Sequence, residues 1–261
     1  MPSPPTGTTD ASSSRARAYA RIAGLVLLFL ACLPPHLIAK GLTRRSLWPR
    51  RFLGSAARIC GVRARIEGAP LAPHSLVIAN HSSWLDILIL GGVGTAFVSK
   101  AEVERVPLIG WLADQNRTLY IARSERGDAH GQVRQIARAL DHPQPLTVFP
   151  EGTTGDGRPL LPFRSTLLAA VAPPPPGVSI RPVALDYGRG AGLIAWTGGE
   201  PALPNVMRVL GLRGSREVIV RLLDPLAHGA DRKALARAAQ AAIAAALSSA
   251  RAPDALEAPA R

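Results

Sequence analysis

Past Arg51 the chain returns again and again to short apolar runs rich in Val, Ile and aromatic residues, and this constrains its fold more than any other feature. The runs span Val62–Ile66, Leu76–Ala79, Ala96–Ser99, Thr118–Ile121, Leu146–Phe149, Val178–Leu185, Leu193–Trp196 and Val218–Leu223. Each is of strand length and reads as a β-strand. Between them lie helical patterns: Asp86–Leu90, the amphipathic Asp128–Leu140 with Val133, Ile136, Ala137 and Leu140 at helical spacing, Phe163–Ala172 stopped by Pro173–Pro176, and the Ala-rich Asp231–Leu247. Strands alternating with helices require an α/β sheet covered by helices, in one domain. No internal repeat is visible. With 47% hydrophobic and 19% charged residues, the chain can fill such a core.

The N-terminus has another texture. Met1–Ser14 is rich in Ser, Thr and Pro. Ile22–Leu33 is apolar or small throughout, and Pro34, Pro35 and His36 follow. A free-standing spanning helix needs about 20 apolar residues, so the run is short for one. It reads as a membrane anchor, either a spanning helix or a broken helix lying in one leaflet. A signal peptide has similar charge and length, but no A-x-A site follows. Arg15, Arg17 and Arg21 precede the run; Lys40, Arg44, Arg45, Arg50 and Arg51 follow it. The heavier cluster after the run puts the main body on the cytoplasmic side of the inner membrane. The expected organisation is a disordered lead at 1–19, an anchoring segment at 20–52, a catalytic domain at 53–250 and a loose tail at 251–261.

The net charge is +13, and arginine supplies all the basic residues except Lys40, Lys100 and Lys233. Such a surplus faces something anionic: nucleic acid, a membrane surface or a phosphorylated substrate. The aromatic content of 5% leaves no base-stacking surface, and no zinc-finger or RNA-binding motif is present, so a nucleic-acid partner is not expected. Anionic membrane lipid is the expected partner. Cys32 and Cys60 are the only cysteines, too few for a disulfide framework. No H-x-x-x-H, C-x-x-C or H-E-x-x-H spacing suggests a metal.

Chemistry concentrates in A-N-H-S-S-W-L-D, Ala79–Asp86. The block follows an apolar strand and leads into a helix. If the helix begins near Ser83, Asp86 lies about one turn in and points back at His81. A carboxylate on one imidazole nitrogen fixes the tautomer and leaves the other free to take a proton from a hydroxyl. Alone, this spacing is weak, and Ser82 and Ser83 also read as helix caps. A second strand ends in F-P-E-G-T-T-G, where Gly152 permits a tight turn and Thr153 and Thr154 add hydroxyls. Glu151 there suits fixing an arginine or accepting from a substrate hydroxyl. A third block, Gly110–Arg123, delivers Arg123 at a strand end, placed to meet an anionic head group. The fourth is the buried strand Ile180–Leu185 with Pro182 near its start.

In this order the four blocks resemble the 1-acylglycerol-3-phosphate acyltransferases, the lysophospholipid acyltransferase family. Asn80, His81, Ser83 and Asp86 match its N-H-x-S-x-x-D. Gly110, Tyr120, Ile121 and Arg123 approximate its second motif. Phe149, Pro150, Glu151, Gly152 and Thr153 match F-P-E-G-T-R, and Arg181, Pro182 and Val183 approximate V-P-V. The resemblance implies a glycerolipid-acyltransferase-like mixed α/β sheet flanked by helices, with a membrane-associated N-terminal helix. It implies His81 as general base and Asp86 as its orienting partner, with Arg123, Glu151, Gly152 and Thr153 on the acceptor side. It implies acyl-CoA or acyl-carrier protein as donor substrate, no cofactor and no metal. The expected reaction is acyl transfer to a lysolipid hydroxyl, most simply 1-acyl-sn-glycerol-3-phosphate giving phosphatidic acid. Thr154 departs from the pattern where Arg is usual, which opens the acceptor to another lysolipid such as a lyso-ornithine lipid. A thioester hydrolase using the same dyad is the rival of another class. The amides near Ser82 or Gly152 are the expected oxyanion donors.

Overall fold

The computed structural model describes residues 13–43, 46–121, 129–156, 159–227, 229 and 231–249. Seven strands form one sheet: β1 (Val62–Glu67), β2 (Ser75–Ala79), β3 (Ala96–Lys100), β4 (Leu119–Ile121), β5 (Leu146–Val148), β6 (Ser179–Asp186) and β7 (Arg216–Leu222). Their spatial order is β1-β7-β6-β2-β5-β3-β4. Every neighbouring pair is parallel except β6 with β7. β2 is central and buried at every position, as its unbroken S-L-V-I-A run requires of a strand covered on both faces.

The period-two rule sorts the core into two layers. Val77, Ala79, Val183 and Leu185 face one cluster, and Leu76, Ile78, Leu146, Val148 and Ile180 face the other. The first layer is covered by α1 (Arg15–Thr43), α2 (Trp48–Ile59), α3 (Leu85–Val93) and α8 (Ala202–Gly211); the second by α6 (Ala129–Ala139), a 3₁₀ turn at Leu167–Val171 and α9 (Arg232–Ser249). Short helices α4 (Ala101–Glu104) and α5 (Ile109–Gln115) lie between β3 and β4, and α7 (Ala191–Ile194) follows β6.

Several elements differ from the sequence expectations. Leu193–Trp196, expected as a strand, is the end of α7 followed by a non-helical connection. Its amides find partners outside any ladder: Ala195 N–H donates to the Ala191 carbonyl and Trp196 N–H to the Ser82 carbonyl. Phe163–Ala172, expected as a helix, is extended at first and coils only over Leu167–Val171. The Phe163 amide donates to Gln240 and the Arg164 amide to the Pro150 carbonyl, so neither is free for a helical turn. Helices α2, α5 and α8 were not anticipated. In α2, Pro49 opens the first turn, Ala56 and Ala57 are buried, and Arg50, Arg51 and Arg58 point outward.

α1 is a single 29-residue helix, about 43 Å long, that runs through Pro34 and Pro35. It begins at Arg15, so the end of the expected disordered lead at 1–19 is helical; residues 1–12 and the tail 250–261 lie outside the described residues. Among the described residues it is the one helix long and apolar enough to cross a membrane. It is nevertheless attached along its length. Arg21 donates to the Leu210 and Gly214 carbonyls at 3.0 and 2.9 Å, and Arg17 to the Gly211 carbonyl, which satisfies acceptors at the end of α8. Further along, Phe29 packs edge-on against Phe52 and Trp111. His36 is buried, held by Ser46 (2.9 Å) and Gln115 (3.1 Å).

Candidate active site

The site follows from the register of two parallel strands. β2 and β5 pair Leu76 with Leu146 and Ile78 with Val148. Carried past the strand ends, that offset sets His81 beside Glu151. There the His81 backbone N–H donates to Glu151 Oε1 at 2.7 Å. Both loops leave the carboxyl edge of the sheet, where open α/β sheets place their ligand sites.

Asp86, in the first turn of α3, is fully buried. Its Oδ2 accepts from His81 Nδ1 at 2.8 Å and from the Ser82 and Ser83 amides at 2.7 and 2.9 Å. Its Oδ1 accepts from the Tyr187 hydroxyl. Burial of an ionised carboxylate is tolerable only when it is hydrogen-bonded in this way. Asp86 fixes the Nδ1–H tautomer. His81 Nε2 has no hydrogen-bond partner among the described residues, and the ring lines a cavity. Phe149 stacks on the imidazole at 4.0 Å between centroids, and Phe97 lies behind it at 6.2 Å. Asn80 clamps the strand end to β6, donating to the Leu185 carbonyl (3.0 Å) and accepting from its N–H (2.8 Å). Ser83 lies fully buried under the turn, with its hydroxyl accepting from the Leu85 amide at 3.4 Å.

Glu151 has a different job from those expected of it. Its Oε1 takes the His81 amide and its Oε2 the Leu161 amide at 3.1 Å, and the residue is 4% exposed. Among the described residues it pairs with no arginine, and it is not one of those lining the cavity. Instead it ties together the two loops of the site. Burial pushes its carboxyl above the ordinary carboxylate value, against the lowering pull of those two amides. Gly152, at φ +76°, turns the chain there, its N–H donating to the Phe149 carbonyl at 3.1 Å. Of the amides near Ser82 and Gly152 expected as oxyanion donors, the Ser82 and Gly152 N–H groups themselves are taken up within the turns. Gly155 N–H donates to the His81 carbonyl at 3.0 Å, and the Thr154 hydroxyl donates to the Trp196 carbonyl at 2.5 Å. Thr154 is therefore a loop pin.

Pro150 and Thr153 line the cavity with His81 and Gly152; Pro182 is buried within β6, opposite Ile78. Arg181 is buried as well, donating to the Leu223 and Ala69 carbonyls at 2.7 and 3.1 Å, so it serves the sheet edge. Arg123 lies outside the described residues. Sequence reasoning missed Tyr187 and the Trp196 loop. Tyr187 follows β6 directly, and the signal for it was β6 standing next to β2 in the sheet. Its phenol is pushed well above the ordinary value by burial first and by the Asp86 carboxylate second.

The cavity measures about 1120 Å³. His81, Gly152, Thr153 and Arg164 line it near the loops of β2 and β5; much of the rest of its wall is apolar, with Phe29, Phe52, Trp84 and Trp111. A base with a free nitrogen at the polar end of an apolar chamber can deprotonate a hydroxyl carried by an amphiphile. No group of His, Cys, Asp and Glu among the described residues could hold a metal.

Comparison with known proteins agrees with this chemistry. Residues 63–186 match the family described as Acyltransferase. Lyso-ornithine lipid O-acyltransferase of Brucella abortus (strain 2308) is 34% identical over 260 residues, 90% of this chain and 95% of that protein. 1-acyl-sn-glycerol-3-phosphate acyltransferase of Neisseria gonorrhoeae is 35% identical over 121 residues, 46% of this chain and 47% of that protein. The crystal structure of the 1-acyl-sn-glycerophosphate acyltransferase PlsC from Thermotoga maritima superposes with a TM-score of 0.63 over 91% of this chain and 95% of that one, at 19% identity, a likeness of fold. The chain belongs to the acyltransferase family that contains these lysophosphatidic acid acyltransferases. It is an O-acyltransferase, and its acyl donor is a substrate rather than a cofactor.

Proposed function

We propose that this enzyme moves a fatty acyl group from a thioester, acyl-CoA or acyl-carrier protein, to the free hydroxyl of a lyso-ornithine lipid. The observation that carries the acceptor is the reach of the likeness. The lyso-ornithine lipid enzyme of Brucella abortus matches over 90% of this chain, the Neisseria gonorrhoeae glycerophosphate enzyme over 46%. Thr154, with its hydroxyl turned onto the Trp196 carbonyl, supports the same reading, since it adds no charge for a phosphate. 1-Acyl-sn-glycerol-3-phosphate, the simplest acceptor from the motifs alone, becomes the second reading, favoured by the cationic Lys100 and Arg164 in the cavity wall.

Transfer is direct, in one ternary complex. His81 Nε2 takes the acceptor's hydroxyl proton as that oxygen attacks the thioester carbonyl. Asp86 stabilises the imidazolium. The Thr153 and Thr154 amides, without acceptors among the described residues, receive the oxyanion. As the C–S bond breaks, the thiolate takes the proton back from His81. The acyl chains occupy the apolar part of the cavity. Arg123 keeps its assignment to the acceptor's anionic end on its motif alone.

The test is acyl transfer from a labelled thioester to a panel of lysolipids. Wild type should acylate lyso-ornithine lipid in preference to lysophosphatidic acid. His81→Ala should lower turnover by roughly 10²–10⁴-fold. Unchanged turnover in His81→Ala would refute the base; preference for lysophosphatidic acid would refute the acceptor; acid release without transfer would return the hydrolase.

A further inference from the structure

The cavity carries an imbalance of charge. Among its described lining residues the fixed charges are Lys100, Arg164 and Glu200. Glu200 is already neutralised. Its two oxygens accept from Arg208 Nε and Nη2 at 3.0 and 2.9 Å and from Asn205 Nδ2 at 2.7 Å. Arg164 pairs with no acid among the described residues. Glu151, on the turn over which the Arg164 segment folds, is taken by two backbone amides, and no arginine contributes to the shift of its carboxyl.

Arg164 is also held in place by its backbone. The Leu161 amide donates to Glu151 and the Arg164 amide to the Pro150 carbonyl at 2.9 Å. These bonds fold the 161–164 segment back over the Phe149–Glu151 turn, and Phe149 is the ring stacked on His81. The side chain is exposed and forms part of the cavity wall. A cation anchored one residue from the imidazole's stacking partner, facing the chamber and unneutralised, is poised for an anion that arrives with the substrate. The planar guanidinium fork offers paired donors, the geometry that a carboxylate or phosphate accepts.

We infer that Arg164 is an acceptor-recognition residue, binding the head-group oxyanion of the lysolipid, a carboxylate in the ornithine case, alongside the Arg123 that its motif assigns to the same end, and so setting which hydroxyl is presented to His81. This rests on the acyl-acceptor reading of the cavity. Lys100 carries its charge at the end of β3 and is a separate contact.

The experiment compares wild type, Arg164→Gln and Arg164→Lys on lyso-ornithine lipid, on its carboxyl methyl ester and on lysophosphatidic acid, measuring KM for acceptor and donor separately from kcat. Arg164→Gln should raise the KM for free-carboxylate acceptor about 10- to 100-fold, the range of a lost charge-assisted contact, and leave the donor KM unchanged. Methyl esterification should impose a like loss on wild type and little further loss on Arg164→Gln. Arg164→Lys should recover part of the affinity. An unchanged acceptor KM in Arg164→Gln, or a full further loss on the methyl ester, would overturn the assignment. If wild type acylates only lysophosphatidic acid, the ornithine reading fails by itself. Arg164→Gln is then judged on that acceptor, where a raised KM supports the role and an unchanged one ends it.

Discussion

At the residue scale the site turns on how the donors around a fully buried Asp86 satisfy it and hold it against His81. Its donors are the imidazole, two amides of its own loop and the Tyr187 hydroxyl. The first three come with the local motif; Tyr187 comes from 101 positions away. Removing its hydroxyl leaves one lone-pair direction of a buried carboxylate unsatisfied, a loss of about 1.5–3 kcal/mol for a bond to a charged group. Tyr187→Phe should therefore lower stability by that order and kcat along with it. Thermal unfolding and acyl-transfer turnover measured together check this: an unchanged Tm and kcat would mean that the phenol does not support Asp86. The pH sign for the tyrosine itself is definite. Its folded-state value is raised, so its contribution is fully present below the unfolded value of about 10 and is lost as pH rises through the folded one, well above the working range. His81 and Asp86 were legible in the sequence because their contact is made within one turn. Glu151 was legible as a motif but its task was not, because that task is set by the register of two strands. Tyr187 was hidden because it is local to nothing but β6.

At the element scale, the cavity's apolar wall depends on how closely α2 approaches α3. Gly54 and Gly92 make this contact backbone to backbone: a Cβ on Gly92 would lie 2.7 Å from the Gly54 Cα. Phe52 and Leu53 of α2 and Ile87 and Leu88 of α3 line the cavity, so separation of the helices would reshape it. Gly92→Ala should cost about 1–3 kcal/mol of stability, readable as a lower Tm, and should change chain-length preference among acyl donors while sparing the His81–Asp86 pair. An unaltered chain-length profile would separate this crossing from substrate selection. Elements of this kind explain what the sequence hid. Strands β2 and β5 were legible because a strand buried along its length must be apolar there, whereas β1, exposed from Arg63 to Ile66, and β7 show only alternating apolar positions. Leu193–Trp196 is apolar too, but it joins no ladder: the Ala195 amide closes the end of α7 and the Trp196 amide pins the His81 loop through the Ser82 carbonyl. The amphipathic stripes of α2 and α8 sit between stretches that draw the eye, the anchor on one side and the glycine-rich 198–199 loop on the other.

At the scale of the whole molecule the question is how a basic, partly apolar protein meets its lipid substrates. α1 is tied to α8 through Arg17 and Arg21, to α2 and α5 through Phe29, and to α5 through His36. A spanning orientation would break these contacts and draw the buried His36 into hydrocarbon, a costly place for a polar side chain. What α1 leaves outward is an apolar strip: Leu27, Leu30, Leu37, Ile38 and Leu42 are all more than half exposed. Trp111, 38% exposed, stands in both the surface and the cavity wall. We propose that α1 lies in one leaflet with this strip among the acyl chains and the chamber opening beside it. On that reading the arginine surplus should add attraction to anionic lipid that weakens as salt rises. The two orientations differ in where the ends of α1 lie. Cysteines placed at Ala16 and at Leu42, both exposed, should react with a membrane-impermeant thiol reagent from the same side of sealed vesicles, while the native Cys32 and Cys60 remain buried. Labelling of the two positions from opposite sides would mean that α1 leaves the catalytic body and spans, and the attachments through Arg17, Arg21 and His36 would then have to be absent in the membrane-bound enzyme.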